Sequence, residues 1–357
     1  MMRKLLKLAP FCLITLLLSS CANSIGTGEN DQSRGVHKAN IGEAEANEEP
    51  SSDGSDPAAA EENDKAAEPE TIAVSGPEEI AVLSTENEAE DFCELDTDVC
   101  GGILFDREGN MLAARPLGLD KVASDGSVVP FCDLSKLEKG RDYYFKSPFI
   151  WDMKYDSDNN IIAAAQDRIL KIDAEGNVTT LIREDFRGFL GASGLEVDRE
   201  GNIYVVSGQR VFKYSADLEK TEYLSSDKYY SFFSIAFSPD HKYLYLTDFN
   251  TKALVRYDIS DGIADKGTEI VREPVKNSGS FGAPLNMIFN DYGSMFVSID
   301  GMGQILKIDK NGALSLISVN KTVSNHIIAF GSKGFDENCV YFTTYGNKVC
   351  KLKLDEG

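Results

Sequence analysis

Apolar and polar residues alternate in short runs along most of the chain, and clusters of Asp, Asn and Gly separate the runs. Alternation with a period of two is typical of a β-strand that buries one face, and such clusters supply the backbone geometry of tight turns. Helical periodicity is nearly absent. A strand, turn and strand unit recurs six times, as ILFDREGNMLAA, MKYDSDNNIIAAA, LEVDREGNIYVV, IAFSPDHKYLYLTD, MIFNDYGSMFVSID and IAFGSKGFDENCVYFTT. Most copies continue into a third strand, such as RILKIDAEGN.

The spacing of these units predicts the architecture. The equivalent turn positions follow at intervals of 50, 42, 40, 52 and 41 residues, and they are Asp106, Asp156, Asp198, Ser238, Asn290 and Gly331. Repeats of this length are typical of the blades of a β-propeller. Since one such unit cannot bury both of its faces, we expect six four-stranded blades to pack into a closed ring. The predicted fold class is therefore all-β, with a six-bladed β-propeller over residues 78–357.

The ring also needs a closing strand. The last repeat reaches Gly357 after three strands, so its fourth strand must come from elsewhere. Residues 78–85, EEIAVLST, are the remaining alternating apolar segment. We expect this segment to supply the outer strand of the last blade, and the alternative is an isolated β segment in the linker.

The first 20 residues carry a different pattern. Arg3, Lys4 and Lys7 precede a short apolar run, which ends in LSSC at Cys21. This order is typical of a lipoprotein signal peptide with its lipobox. The apolar run is shorter than the roughly 20 residues that span a bilayer, which makes a retained membrane helix the weaker interpretation. We predict a signal peptide over residues 1–20 and a lipidated Cys21 that anchors the chain to the extracytoplasmic side of the cell membrane.

Composition separates the next segment from the repeats. Residues 21–70 hold 13 acidic residues against three basic ones, with almost no large apolar side chain, and residues 71–98 add nine acids and no base. Such a segment cannot bury enough surface to offset its chain entropy, so we predict a disordered acidic tether over residues 21–77. Of the formal net charge of −22, only −6 belongs to residues 99–357. No basic patch with interleaved aromatic residues appears, so nucleic acid is not an expected partner.

Two repeats resemble known families. IAFSPDHKYLYLTDFNTKALVRYDI resembles the signature blade of the regucalcin and gluconolactonase (SMP-30-like) family, and SGLEVDREGNIYVV is similar to the NHL repeat, which mostly serves binding. The resemblance covers residues 78–357 as a pattern and implies a six-bladed propeller. For the first family it also implies hydrolysis of sugar lactones with one divalent metal in the central channel. Its metal ligands are a Glu, an Asn and an Asp, each five residues before a turn position.

Those positions hold no carboxylate in this chain. They are Gly101, Trp151, Ser193, Phe233, Leu285 and His326, so Phe233 and Leu285 stand where the family has Asn and Asp. Asn286 lies one residue on, where strand alternation points it away from the channel. A slip of one residue would instead bring Asp152, Ser234 and Asn286 inward. A hard divalent cation needs several oxygen ligands, so we expect no cofactor and disfavour a metal.

The three histidines offer little further chemistry. His37 falls in the predicted tether and His241 in a turn. Since the chain has only three histidines, a metal site built from three of them is excluded. His326 falls at a blade entrance, where it is either a lone acid–base group or a satisfied structural histidine.

The cysteines do not form an evident disulfide framework. Cys93 and Cys100 bracket six residues and could close a small loop in an oxidising exterior. Cys339 and Cys350 are expected to be buried thiols without a direct bond, because a two-residue turn places Cys350 opposite Thr343.

Aromatic residues concentrate where the inner strands begin. Some must pack between blades, and the others are expected to line a pocket at the channel mouth; the set is Tyr143, Tyr144, Phe145, Phe149, Trp151, Phe186, Phe189, Tyr229, Tyr230, Phe232, Phe233 and Phe281. An apolar pocket with a few polar groups is the usual form of a small-ligand site.

These patterns favour an extracytoplasmic, membrane-anchored binding module for a small molecule, sugar, peptide or envelope protein. The alternative is a divergent lactonase-type hydrolase that uses the central channel. The predicted ligand-binding residues are Trp151, Ser193, Phe233, Leu285, Asn286 and His326, with no catalytic residue assigned. Trp151 has two interpretations: it forms the floor of the site with Phe233, or it plugs the ring.

Overall fold

The computed structural model describes residues 81–96, 101–140, 148–188, 190–262, 267–272, 282–300, 303–319, 327–344 and 347–354. The regular structure of these ranges is β throughout, and they contain no helix long and apolar enough to cross a membrane. The strands in chain order are β1 (Ala81–Asn87), β2 (Glu90–Glu94), β3 (Ile103–Phe105), β4 (Met111–Arg115), β5 (Gly118–Val122), β6 (Val128–Asp133), β7 (Asp152–Tyr155), β8 (Ile161–Ala164), β9 (Arg168–Ile172), β10 (Val178–Arg183), β11 (Leu195–Val197), β12 (Ile203–Ser207), β13 (Arg210–Tyr214), β14 (Lys220–Ser225), β15 (Phe232–Phe237), β16 (Tyr243–Asp248), β17 (Ala253–Asp258), β18 (Thr268–Arg272), β19 (Pro284–Phe289), β20 (Met295–Ile299), β21 (Gln304–Ile308), β22 (Leu314–Val319), β23 (Ile328–Phe330), β24 (Cys339–Thr343) and β25 (Lys348–Lys353).

Six sheets form the blades of a propeller. Blades 1 to 5 each begin with four antiparallel strands that are consecutive in the chain, namely β3–β6, β7–β10, β11–β14, β15–β18 and β19–β22, and blade 6 contains β23–β25. The first strand of each blade lies innermost. These six strands contact one another in the order β3, β7, β11, β15, β19 and β23, and β23 returns to β3. The ring is closed around a central channel, which confirms the predicted six-bladed β-propeller.

Asp side chains stabilise the predicted turns that follow the inner strands. Asp156 Oδ1 accepts hydrogen bonds from the backbone N–H groups of Asp158 at 3.0 Å and Asn160 at 2.8 Å, and the Asn160 amide donates to Asp156 Oδ2 at 3.0 Å. The same arrangement recurs at Asp106 and Asp198. An Asp that bonds its own downstream backbone stabilises a tight turn. The repeated Asp and Asn pairs therefore mark where each hairpin reverses.

The core lies between the blades. Three residues before each turn position, the inner strand carries an apolar side chain that is at most 5% exposed; these are Ile103, Met153, Leu195, Ile235, Met287 and Ile328. Because alternate residues of a strand face opposite sides, these six side chains share one face of their blades. Burial of a side chain of this size stabilises the fold by about 1.5–3 kcal/mol.

The closing strand is not the predicted one. Residues 81–87 form β1, which pairs in parallel with β22 as a fifth strand of blade 5, and residues 90–94 form β2, which pairs antiparallel with β25 and completes blade 6. The prediction that residues 78–85 close the last blade is wrong, and residues 78–80 lie outside the described residues.

Charge and aromatic packing explain this choice of closing strand. Strand β25 is rich in lysine and β2 is acidic, so Lys348 pairs with Asp91, and Lys351 Nζ lies 3.1 Å from Glu90 Oε2. The ring of Phe92 packs on the ring of Tyr341 with centroids 5.3 Å apart. The alternation of apolar residues alone does not reveal this pairing of opposite charges between β2 and β25.

Cys339 and Cys350 in blade 6 are buried thiols that no disulfide joins to each other, as predicted. Cys339 pairs with Lys353 and Cys350 pairs with Phe342, so neither faces the other across the sheet. The expected register was wrong by one residue, because Thr343 pairs with Val349. Cys93 lies in β2, whereas Cys100 falls outside the described residues, so the loop that they could close stays a prediction.

Candidate functional site

The channel entrance is the end of the ring at which the inner strands begin. Five of the six predicted entrance positions are described, and all are buried: Gly101, Trp151, Ser193, Phe233 and Leu285. His326 lies outside the described residues. Phe149, Trp151, Phe233 and Leu285 pack together in one apolar group, which we call the entrance cluster. Trp151 is 4% exposed and Phe233 is 5% exposed.

The entrance cluster crosses the ring. Trp151 belongs to blade 2 and Phe233 to blade 4, and their ring centroids lie 6.3 Å apart in an edge-on arrangement. Trp151 also packs against Phe149, with centroids 4.8 Å apart. Aromatic pairs in tilted, edge-on contact are favourable beyond the area they bury. Side chains of blades 2 and 4 therefore meet across the ring at this level.

Blade 3 allows Trp151 and Phe233 to meet because its own residues at the entrance are small. Ser193 Oγ donates a hydrogen bond to the Phe233 carbonyl oxygen at 3.0 Å, and Gly194 follows it. A Cβ atom at Gly194 would lie 2.6 Å from the same carbonyl oxygen, well inside contact distance. Glycine is thus required for blades 3 and 4 to approach this closely.

The residues one position further along tie neighbouring blades together. Asn286 Oδ1 in blade 5 accepts a hydrogen bond from the Ile328 backbone N–H in blade 6 at 3.3 Å, and Asp152 Oδ2 in blade 2 accepts one from the Leu195 N–H in blade 3 at 3.2 Å. Both side chains are buried. The structure thus brings Trp151, Phe233 and Leu285 together in the entrance cluster, and it uses Ser193 and Asn286 as contacts between blades.

Most of the described aromatic residues near the entrance are packed. Phe149, Phe186, Tyr229 and Phe232 are each at most 3% exposed, whereas Tyr230 is 58% exposed. Tyr143, Tyr144, Phe145, Phe189 and Phe281 lie outside the described residues. The described aromatic side chains therefore contribute more to the core than to an open surface.

A charged group lies further along the inner strands, two residues before the turn positions. This level holds Lys154 in blade 2 and Glu196 in blade 3, while the other blades place Leu104, Ala236, Ile288 and Ala329 there. A strand rises about 3.3 Å per residue, so this level lies roughly 10 Å from the entrance cluster. The Lys154 side chain is 25% exposed, and it lies on the same face of its strand as Asp152, two residues before it.

Hydrogen bonds and charges organise this group, which we call the charged cluster (Asp152, Lys154 and Glu196). Lys154 Nζ lies 3.3 Å from Asp152 Oδ1, which also accepts from the Met153 N–H at 2.9 Å. Burial disfavours the charge of Lys154, but Asp152 and Glu196 outweigh it and raise the pKa of this lysine. Burial raises the pKa of Glu196, against the opposing attraction of Lys154.

The charged cluster was not predicted from the sequence, although the signal was present. Alignment of the six repeats at this position gives four apolar residues and two ionisable ones. The family resemblance pointed instead to the entrance positions. Within the described ranges, no group of three or more His, Cys, Asp and Glu side chains is placed to hold a metal ion.

Solved structures share this architecture. They include a gluconolactonase from Xanthomonas campestris (TM-score 0.57, 16% identity, 78% of this chain and 98% of that chain covered) and the calcium-binding protein regucalcin from Agrobacterium tumefaciens (0.57, 14%, 76% and 95%). A third is an auxiliary nutrient binding protein from Bacteroides thetaiotaomicron (0.55, 12%, 73% and 70%). No family model and no curated protein matches the sequence. Identities this low establish a shared fold alone, and they confirm the expected likeness to six-bladed propellers of the regucalcin and gluconolactonase type.

Proposed function

We propose that the chain is a ligand-binding module of the cell envelope, anchored through a lipidated Cys21 and joined to its anchor by the acidic tether. The observation that carries this proposal is the entrance cluster. At the level where the resembled lactonases hold a metal, this propeller places Trp151, Phe233 and Leu285. Apolar and aromatic surface with a few polar groups suits the binding of a small molecule, sugar or peptide. An envelope protein is the other class of partner that such a module serves.

The chain offers its own probe, because Trp151 is its single tryptophan. A thermal-shift screen of the propeller against sugars, short peptides, lactones and divalent metals identifies candidates, since compounds that bind the folded state raise the midpoint. Titration with a compound from the screen should then change Trp151 fluorescence. If Trp151 anchors the ligand, Trp151→Ala weakens binding by about 1–3 kcal/mol.

If Trp151 only plugs the ring, the same substitution lowers the free energy of unfolding by about 3–5 kcal/mol and leaves binding intact. Measuring both quantities on one variant separates the two roles. Tyr230→Ala, which truncates an exposed aromatic side chain on the neighbouring segment, is the matched control.

The alternative function is a divergent lactonase-type hydrolase, which the likeness in fold to the gluconolactonase favours. Hydrolysis of a simple lactone by the propeller, lost on addition of a chelator, would replace the binding proposal with this one. The anchoring is tested separately: Cys21→Ser should abolish lipid labelling and release the protein from the membrane or leave it uncleaved, and unchanged labelling would contradict it.

A further inference from the structure

The outer strands of five blades carry features that discourage a further strand from pairing with them. Each of these strands bulges against its neighbour, because the register skips one of its residues. The skipped residues are Phe92 in β2, Phe131 in β6, Leu181 in β10, Tyr223 in β14 and Ile270 in β18. Each of the five strands also contains a charged residue. Bulges and charges are common means by which the edge of a sheet avoids pairing with another chain.

The outer strand of blade 5 has neither feature. Strand β22 has the sequence LSLISV, which contains no charged residue and no proline. It pairs with β21 in continuous register, from Leu314 opposite Ile308 to Ser318 opposite Gln304. A regular, uncharged strand of this kind offers a row of backbone N–H and C=O groups on which a further strand can pair. Strand β1 occupies that position in the structure.

Strand β1 covers this edge only in part. Residues 81–83 pair with residues 315–317, the register then shifts, and the next pair is Asn87 with Val319. The pairing is parallel, whereas the four consecutive strands of blade 5 pair antiparallel, and a parallel pair is slightly less stable per residue. Strand β2 already completes blade 6, so the ring closes without β1. The cover is therefore short, irregular and not required for the ring.

We propose that the outer edge of blade 5 is a strand-acceptor site, where an extended segment of a partner protein displaces β1 and pairs antiparallel with β22. Addition of a strand to a sheet edge is a common way to bind an extended peptide, because backbone hydrogen bonds supply the affinity. An antiparallel segment would continue the pattern of blade 5 along the 6 residues of β22. This site is separate from the entrance cluster and does not depend on the function proposed for it.

The chemistry of the edge restricts the partner segment. Strand β22 offers apolar and hydroxyl side chains but no charge, so it has nothing to attract a charged segment. Proline is also excluded from the segment, since it cannot donate to the ladder. A second copy of this chain would offer its own β1, which pairs with this edge in parallel and with a shift in register. The observations therefore favour an uncharged, extended segment of a different protein.

The first test compares two blocked, fluorescently labelled peptides on the full chain. One peptide alternates threonine and valine, and the other has proline in place of the central valine. Fluorescence anisotropy should show that the proline weakens binding by about tenfold, because it removes a backbone donor and interrupts the strand. Equal binding of the two peptides would overturn the inference.

Two variants of the full chain weaken the cover. Val82→Pro and Leu83→Pro are made separately, because alternate residues of a strand donate to one neighbour and at least one of the two prolines removes such a donor. That variant should bind the alternating peptide about tenfold more tightly than the wild type, since apparent affinity rises with the fraction of molecules whose site is open. Ala59→Pro, in the predicted tether, is the matched control and should bind as the wild type does. Unchanged Trp151 fluorescence shows that each variant is folded, and no gain in affinity from either strand substitution contradicts the inference.

Hydrogen exchange followed by mass spectrometry locates the peptide on the tighter-binding variant. Exchange should slow in β22 and stay unchanged in β10, the bulged outer strand of blade 2. A cysteine at the C-terminus of the peptide should form a disulfide with a Ser315→Cys chain, and one at the N-terminus should not, because antiparallel strands run in opposite directions. Protection of β10 instead of β22, or a preference for the N-terminal cysteine, would overturn the inference. So would a wild-type dimer that both proline substitutions abolish, because it would assign the edge to β1 of a second copy.

Discussion

Two levels of the inner strands differ in what their side chains do, although the same strands supply both. At the entrance cluster, Trp151, Phe233 and Leu285 are buried against one another across the ring. Further along the same strands, Lys154 and Glu196 carry charge and are partly exposed. The inner strands thus begin with apolar packing and place charge near their turns.

The difference follows from strand geometry and from the size of the side chains that each blade places at each level. Trp151 and Asp152 are neighbours in sequence, yet Trp151 enters the ring and Asp152 accepts a hydrogen bond from the next blade, because successive side chains leave a strand in opposite directions. Blade 3 contributes Ser193 and Gly194 at the entrance but Glu196 further along. One short strand can therefore place an apolar side chain in the entrance cluster and a charged side chain near its turn.

The largest expected effect is on the entrance cluster. Phe233→Ala should lower the free energy of unfolding by about 3–5 kcal/mol, because it removes a buried ring from the centre of the cluster and leaves a cavity. Denaturant unfolding followed by Trp151 fluorescence measures it, since that tryptophan packs directly on Phe233.

Tyr230→Ala is the control for that measurement. Tyr230 is 58% exposed and lies three residues before Phe233, so its truncation should change stability by less than about 0.5 kcal/mol. Equal effects of the two substitutions would show that the entrance cluster is an open surface and would remove the contrast between the two levels.

A smaller loss is expected at Gly194. Gly194→Ala places a Cβ atom 2.6 Å from the Phe233 carbonyl oxygen and 2.9 Å from the Ser234 Cα atom, so blades 3 and 4 must move apart. Overpacking of this kind costs about 1–3 kcal/mol. Ser193→Ala, which removes only the hydrogen bond to the same carbonyl, should cost about 0.5–1.5 kcal/mol. A Gly194→Ala variant as stable as the wild type would mean that the small entrance residues of blade 3 do not determine how closely blades 3 and 4 pack.

Much of the fold was predictable from the sequence, for a physical reason. Each blade repeats its own local signals, such as Asp156 and Asn160 bonding across one turn, and six copies at regular spacing specify a ring. The closing strand was not predictable in the same way. Its choice depends on pairing between Glu90 and Lys351, which are far apart in sequence, and on the packing of Phe92 against Tyr341.

The candidate site was predictable only in part. The entrance residues Trp151, Phe233 and Leu285 were identified from their position before the turns, and the structure brings them together. Their burial was not evident, because contact between blades 2 and 4 depends on the curvature of the closed ring. The charged cluster was not predicted, because Lys154 and Glu196 belong to different repeats and each repeat has an ordinary strand pattern.

Removal of the charge at Glu196 should stabilise the fold. Burial raises the pKa of Glu196, so the folded state holds its proton more tightly than the unfolded chain does. The associated stability is present below the unfolded pKa and is lost as pH rises through the folded pKa. Glu196→Gln should therefore raise the free energy of unfolding at neutral pH by about 1–2 kcal/mol and have little effect in acid. A loss of stability at neutral pH would show that the carboxylate already has a strong partner.

The smallest effect is expected at a hairpin turn outside the channel, and it has the opposite sign. Burial alone would raise the pKa of Asp198, but hydrogen bonds from Asn202 and Tyr204 outweigh it and hold that pKa below its ordinary value. Stability from such a group is present above the unfolded pKa and is lost as pH falls through the folded pKa. Asp198→Asn should therefore cost about 0.5–1.5 kcal/mol at neutral pH, and the cost should shrink as the pH falls below about 4. Thermal midpoints of this variant and of Glu196→Gln, measured across the same pH series, should diverge in opposite directions from the wild type as pH rises. Parallel curves would show that the carboxylates of Glu196 and Asp198 experience the same environment, against the contrast that the structure draws between them.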